Sequence, residues 1–128
     1  MAKIQVAVGD DDLRNLLALL VDMRGHRPQS SPDLMATWSH LEAGDIDLLI
    51  LDRPPDADAQ MALVARCRAQ PHLEELPIVV VGAPVNDHDL TSAHAAGVTS
   101  FVAMPFTMVH MTQVITELTR PKLNHGAA

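Results

Sequence analysis

The chain has 128 residues, 16 acidic against 9 basic side chains for a formal charge of −7, 48 % apolar residues and 2 % aromatics. That length fits one domain with a central core. The acidic balance excludes nucleic acid and anionic lipid as partners, because both require a basic surface, and the shortage of aromatics excludes base-stacking platforms.

No uncharged run approaches the length of a membrane span, and "MAKIQVAV" lacks the charged-then-apolar layout of a secretory signal, so a cytoplasmic protein is expected. Residues 4–8, "IQVAV", form an apolar run ending at Gly9 and read as a strand buried on both faces. An amphipathic helix follows, with Leu13, Leu16, Leu17, Leu20 and Val21 as its apolar face and Gly25 as its stop. "HRPQSSP" is polar and carries two prolines, which predicts a weak edge strand. The next helix runs through "DLMATWSHLEAG", with Leu34, Trp38 and Leu41 on one side and Gly44 closing it.

"DLLILD", residues 47–52, is the second clear buried strand and ends in an acid. The prolines of "RPPDADAQ" turn the chain into a helix over roughly 59–69, where Cys67 stands at helical spacing from Leu63 as an ordinary buried thiol. "LPIVVVGAP" is the third buried strand, and a short helix from Asp87 to Ala96 ends at Gly97. "SFVAMP" is the last strand. The final helix carries Met108, Met111, Val114, Ile115 and Leu118 as its apolar stripe and ends at Pro121, so 1–120 is expected as the domain and 121–128 as a tail.

Strands alternating with helices imply an α/β fold, a doubly wound parallel sheet of five strands with helices on both faces. In such sheets chemistry collects at the carboxyl ends of the strands, where strand order reverses. That places attention on 8–12, 52–56, 82–84 and 104–105. The seven histidines show no i, i+4 pair and no Cys-His set, which argues against zinc, and no Gly-rich phosphate loop, dinucleotide fingerprint or Ser-His-Asp ordering is present.

From "KIQVAV" through "RNLL", "DIDLLILD", "LPIVVVGA" and "AAGVTSFVAMPF" to the last helix, the chain resembles the receiver domains of bacterial response regulators, the family of the chemotaxis regulator. The resemblance implies a flavodoxin-like receiver fold and transfer of a phosphoryl group from a histidine kinase's phosphohistidine to Asp52. It also implies a hard cation, usually magnesium, which needs oxygen ligands in octahedral array. Matched position by position, the family's acid pair at the end of the first strand falls on Val8 and Gly9, with Asp10 next. The hydroxyl residue ending the fourth strand falls on Gly82, the lysine before Pro105 on Met104, the switch aromatic on Phe101, and the Met-Pro after the aspartate on Pro55 and Asp56.

Loss of the acids and of the lysine is electrostatically coupled, since removing the acids alone would leave a lysine without partners and removing the lysine alone would leave crowded acids that resist ionising. The resemblance therefore implies an atypical receiver, or pseudo-receiver. Two readings of the acids stay open. Asp10, Asp11 and Asp12 cap a helix N-terminus and complement its dipole; alternatively, a bulge at Gly9 lets Asp10 or Asp11 turn back toward Asp52, with Asp56 adding a ligand, to rebuild a magnesium site.

The leading expectation is a stand-alone receiver of bacterial two-component signalling, not an enzyme. It acts by protein contact with a histidine kinase or a downstream signalling protein, without a cofactor and without conventional magnesium-dependent phosphorylation. The family's face of fourth helix, fifth strand and fifth helix would draw on His88, His94, Met104, His110 and Gln113 for partners or for a homodimer. The alternatives are a working phosphoacceptor at Asp52 with the rebuilt acid site, and, from another class, a small doubly wound nucleotide-binding protein or enzyme.

Overall fold

The computed structural model describes residues 1–54, 57–83 and 87–120. In chain order the elements are β1 (Lys3–Ala7), α1 (Asp11–Met23), β2 (Arg27–Ser31), α2 (Leu34–Glu42), β3 (Leu48–Arg53), α3 (Asp58–Arg68), β4 (Ile78–Gly82), α4 (Asp87–Ala96), β5 (Ser100–Ala103) and α5 (Met108–Thr119). The strands form one parallel sheet in the order β2-β1-β3-β4-β5. The chain steps outward from β1 to β2 and then crosses to β3 on the other side of β1, so the reversal of strand order lies between β1 and β3.

The alternation of side chains along a strand divides the core in two. Leu48 and Ile50 of β3 point, with Ile4, Val6, Val79, Val81 and Val102, toward Leu17, Leu20 and Val21 of α1 and Met111 and Ile115 of α5. Leu49 and Leu51 point the other way, with Ile78 and Val80, toward Trp38 and Leu41 of α2, Leu63, Val64 and Cys67 of α3 and Ala93 of α4. Central parallel strands are covered on both faces, which is why β1, β3 and β4 read as apolar runs.

The polar β2 survives because it is an edge strand. Pro28 pairs with Ile4 in the ladder, where only one side needs donors. Its one buried hydroxyl, Ser31, accepts from Gln5 Nε2 at 2.9 Å and shares a hydrogen bond with Thr37 of α2. Gly25 and Gly44 follow α1 and α2 with φ of 82° and 86°, the left-handed geometry that ends a helix without a Cβ clash.

Three sequence expectations shift. Leu16 and Met108, expected on the core faces of their helices, are exposed. The buried arc of α1 centres on Leu17, Leu20 and Val21, and a residue one position along the helix is turned about 100° away from its neighbour. β5 ends at Ala103, so Met104 and Pro105 lie beyond it, although the Met104 N–H still donates to Gly82 O at 2.7 Å. No helix among the described residues is long and apolar enough to cross a membrane.

Candidate functional site

The carboxyl ends of β1, β3, β4 and β5 bring together Val8, Gly9, Asp52, Gly82 and Met104. Asp52 is the next-to-last residue of β3 and is partly exposed. The Gly9 N–H donates to its Oδ2 at 3.0 Å, joining the β1–α1 turn to β3 across 43 residues of sequence. Val8 is fully buried in the apolar cluster beneath α1 and α5 and offers no side-chain ligand.

The early acids are engaged locally. Asp10 is the N-cap of α1, its Oδ2 accepting from the Leu13 N–H at 2.8 Å, which satisfies one of the free donors of the first turn. Asp11 is ion-paired with Arg14. Asp12 is exposed on the same turn. Asp10 and Asp11 are thus engaged within α1, one as its cap and the other in an ion pair.

Arg14 went unnoticed in the sequence. Its mostly buried guanidinium donates to Val8 O at 2.8 Å and reaches Gly9 O at 3.4 Å, while also holding Asp11. A positive charge is thus fixed beside the end of β1, bonded to the two carbonyls that bracket the turn. The available signal was the spacing, since a basic residue three positions after an acid on a helix is placed to pair with it. The Arg53 guanidinium lies 3.6 Å from Asp89 and ties the end of β3 to the first turn of α4.

Gly82 pairs with Arg53 in the β3–β4 ladder and is buried. A Cβ placed on it would lie 2.8 Å from Arg53 Cβ and 3.2 Å from Arg53 O, so the strand end leaves no space for the hydroxyl side chain the family carries there. Met104 does not reach into the cleft as a lysine would: it packs, with Phe106 and Leu13, against the cluster under α1 and α5, and the Met104–Pro105 bond is cis. Phe101 is partly buried against the opposite cluster, beneath α2, α3 and α4. Pro55 and Asp56 lie outside the described residues.

Magnesium requires several hard oxygen ligands around one point. In the cleft one oxygen of Asp52 already accepts from Gly9, while the carbonyls of Val8 and Gly9 accept from Arg14. No group of three or more His, Cys, Asp or Glu side chains among the described residues could hold a metal. These residues do not fit the ion. Elsewhere, burial pushes the Cys67 thiol above its ordinary value despite Arg68 and Arg66 nearby, the setting of an inert core cysteine. Cavities of about 640 and 630 Å³ lie away from the cleft, one along the outer face of α5 and the other around His26, Asp47 and His72.

No family model matches the sequence. The chemotaxis protein CheY-3 of Vibrio cholerae is 24 % identical over 100 residues, spanning 78 % of this chain and 77 % of that protein. In three dimensions the fold superposes on Vibrio cholerae chemotaxis protein CheY4 with a TM-score of 0.84, at 16 % identity over 92 % of this chain and 98 % of the other. It also superposes on the receiver domain of the sensor histidine kinase PA1611 of Pseudomonas aeruginosa, a structure with a magnesium ion coordinated in its active-site cleft. There the TM-score is 0.80, at 18 % identity over 94 % of this chain and 98 % of that domain. With a five-stranded parallel sheet in the order 2-1-3-4-5 and an aspartate at the next-to-last position of its third strand, the chain is homologous to the CheY-type receiver domains of response regulators in two-component signalling.

Proposed function

We propose that this chain is a receiver that signals by protein contact, with Asp52 retained as a structural acid and not as a magnesium-dependent phosphoacceptor. One observation carries this reading: among the described residues no group of three ligating side chains that could hold a metal includes Asp52, whose carboxylate accepts from the Gly9 N–H while a guanidinium already occupies the neighbouring carbonyls. Phosphoryl transfer to a carboxylate depends on cations and donors that offset charge on the transferred oxygens. Here the hydroxyl position is a glycine with no space beside it and the lysine position is a partly buried methionine packed against the core.

The rebuilt-site alternative asks Asp10 to give up its cap, at about 1 kcal/mol, and Asp11 to leave Arg14. Receiver domains are signalling proteins, generally not enzymes, that interact with histidine kinases and downstream proteins. In this reading the chain is cytoplasmic, has no catalysis and no cofactor of its own, and meets its partner through α4, β5 and α5, where His88, His94, His110 and Gln113 are exposed.

The test is intact-mass measurement after incubation with a small acyl- or amidophosphate and magnesium. The expected result is an unmodified chain. A phosphoryl increment that disappears in Asp52→Asn would overturn the proposal and favour the rebuilt site.

A further inference from the structure

Helix α1 carries two apolar stripes. Leu17, Leu20 and Val21 are buried against the sheet, whereas Leu16, Leu19 and Met23 are 40 %, 54 % and 68 % exposed. Beside this second stripe lies a groove of about 390 Å³ whose other wall is the start of α5, where Met108 and Val109 are 43 % and 68 % exposed. Met23 lines this groove together with Met108 and Val109, so five of the eight large hydrophobic side chains exposed among the described residues lie on the stripe or on the groove beside it. On a chain of charge −7, so much clustered apolar area is a contact surface and not scatter.

The spacing says what kind of contact. Asp12, Leu16, Leu19 and Met23 follow one another at intervals of four, three and four, the seam spacing of packed helix pairs. The stripe begins with an acid, Asp12, and the helix ends with a base, Arg24, both exposed and separated by about 18 Å of helix. Asp11 and Asp22 fall on other sides of the helix, away from the seam. Arg24 is the C-cap of α1 and lies off the seam line, but it borders the groove beside Met23, so the face is acidic at one end, basic at the other and apolar between, and is complementary to itself when reversed.

We propose that this face binds a second copy of the chain, α1 against α1 in antiparallel orientation about a two-fold axis near Leu19. Asp12 of each copy then lies toward Arg24 of the other, while a parallel alignment would set acid against acid. Leu16, Leu19, Met23, Met108 and Val109 form the apolar centre; Thr112 and the charged ends form the rim, the anatomy of an interface needing roughly 800 Å² per partner. The arrangement leaves α4, β5 and α5's outer face open for another protein and does not depend on the chemistry of Asp52.

Sedimentation equilibrium of the full chain over a range of concentrations tests this. The expected result is a reversible dimer that Leu19→Glu weakens by at least about tenfold, as loss of a central contact does, and that Leu90→Glu on α4 leaves unchanged. Asp12→Arg and Arg24→Asp each weaken the dimer, and their combination restores it; far-UV circular dichroism verifies that each variant is folded. A wild-type chain that stays monomeric overturns the proposal, leaving the face to a helix of another protein. So does a dimer that Leu90→Glu dissolves and Leu19→Glu does not, which would place the contact on α4, β5 and α5.

Discussion

Placing a hydroxyl side chain at the end of β4 is opposed by the local geometry. In Gly82→Ser the new Cβ meets Arg53 Cβ at 2.8 Å, roughly 0.7 Å inside the lower limit of comfortable carbon contact. The opposing atoms are the Cβ and carbonyl of a residue paired in the ladder, not the free end of a side chain, so relief requires β3 and β4 to part. Gly82 O also accepts the Met104 N–H, and the strain passes to the β5 end. Overpacking of this kind costs about 1–3 kcal/mol, and removing a glycine's freedom in the unfolded chain offsets about 0.4–1 kcal/mol. A net loss of about 1–2 kcal/mol follows, a fall in Tm of roughly 3–10 °C for a domain of this size. Urea denaturation followed by circular dichroism measures it, with Gly9→Ala as the matched control. There the added Cβ would sit 3.5 Å from Asp52 Oδ2, an ordinary contact, and the midpoint should hardly move. A Gly82→Ser midpoint equal to or above that of the wild type refutes the steric argument.

The same space at position 9 admits an acid. Gly9→Asp is expected to fold and to set a second carboxylate beside Asp52; added magnesium should raise the Tm of this variant more than that of the wild type, and equal responses would count against the missing acid as the reason the cleft does not suit the ion. A pH effect is expected from His26, whose Nδ1 accepts from the Ala2 N–H at 3.1 Å and whose Nε2 lies 3.4 Å from Thr119 Oγ1. Burial, aided by the N-terminal charge and Arg24 and opposed by Asp47, holds its pKa below the ordinary 6.5. The folded state thus prefers the neutral ring. Its contribution is full above the unfolded value and declines as pH falls through 6.5 toward the lower folded value. Thermal melts should show the stability gap between wild type and His26→Gln shifting against the wild type between about pH 7.5 and pH 5; a gap independent of pH would contradict this.

Much of this protein could be read from residues taken in order. "IQVAV", "DLLILD" and "LPIVVVGA" announce central strands because a parallel strand covered on both faces must be apolar throughout, and "RPQSS" could only be an edge. Asp52 at a strand end and Asp10 as a cap follow from local rules, since a cap bonds to a backbone three residues away. The tertiary structure decided what depends on groups distant in the chain. Only there does Gly9 meet Asp52, Arg53 meet Asp89, and a backbone fill the space a side chain at position 82 would need. The division of α1 into a buried and an exposed stripe is of the same kind: Leu16 and Leu17 are alike in composition, and the direction of the sheet determines which of them water touches.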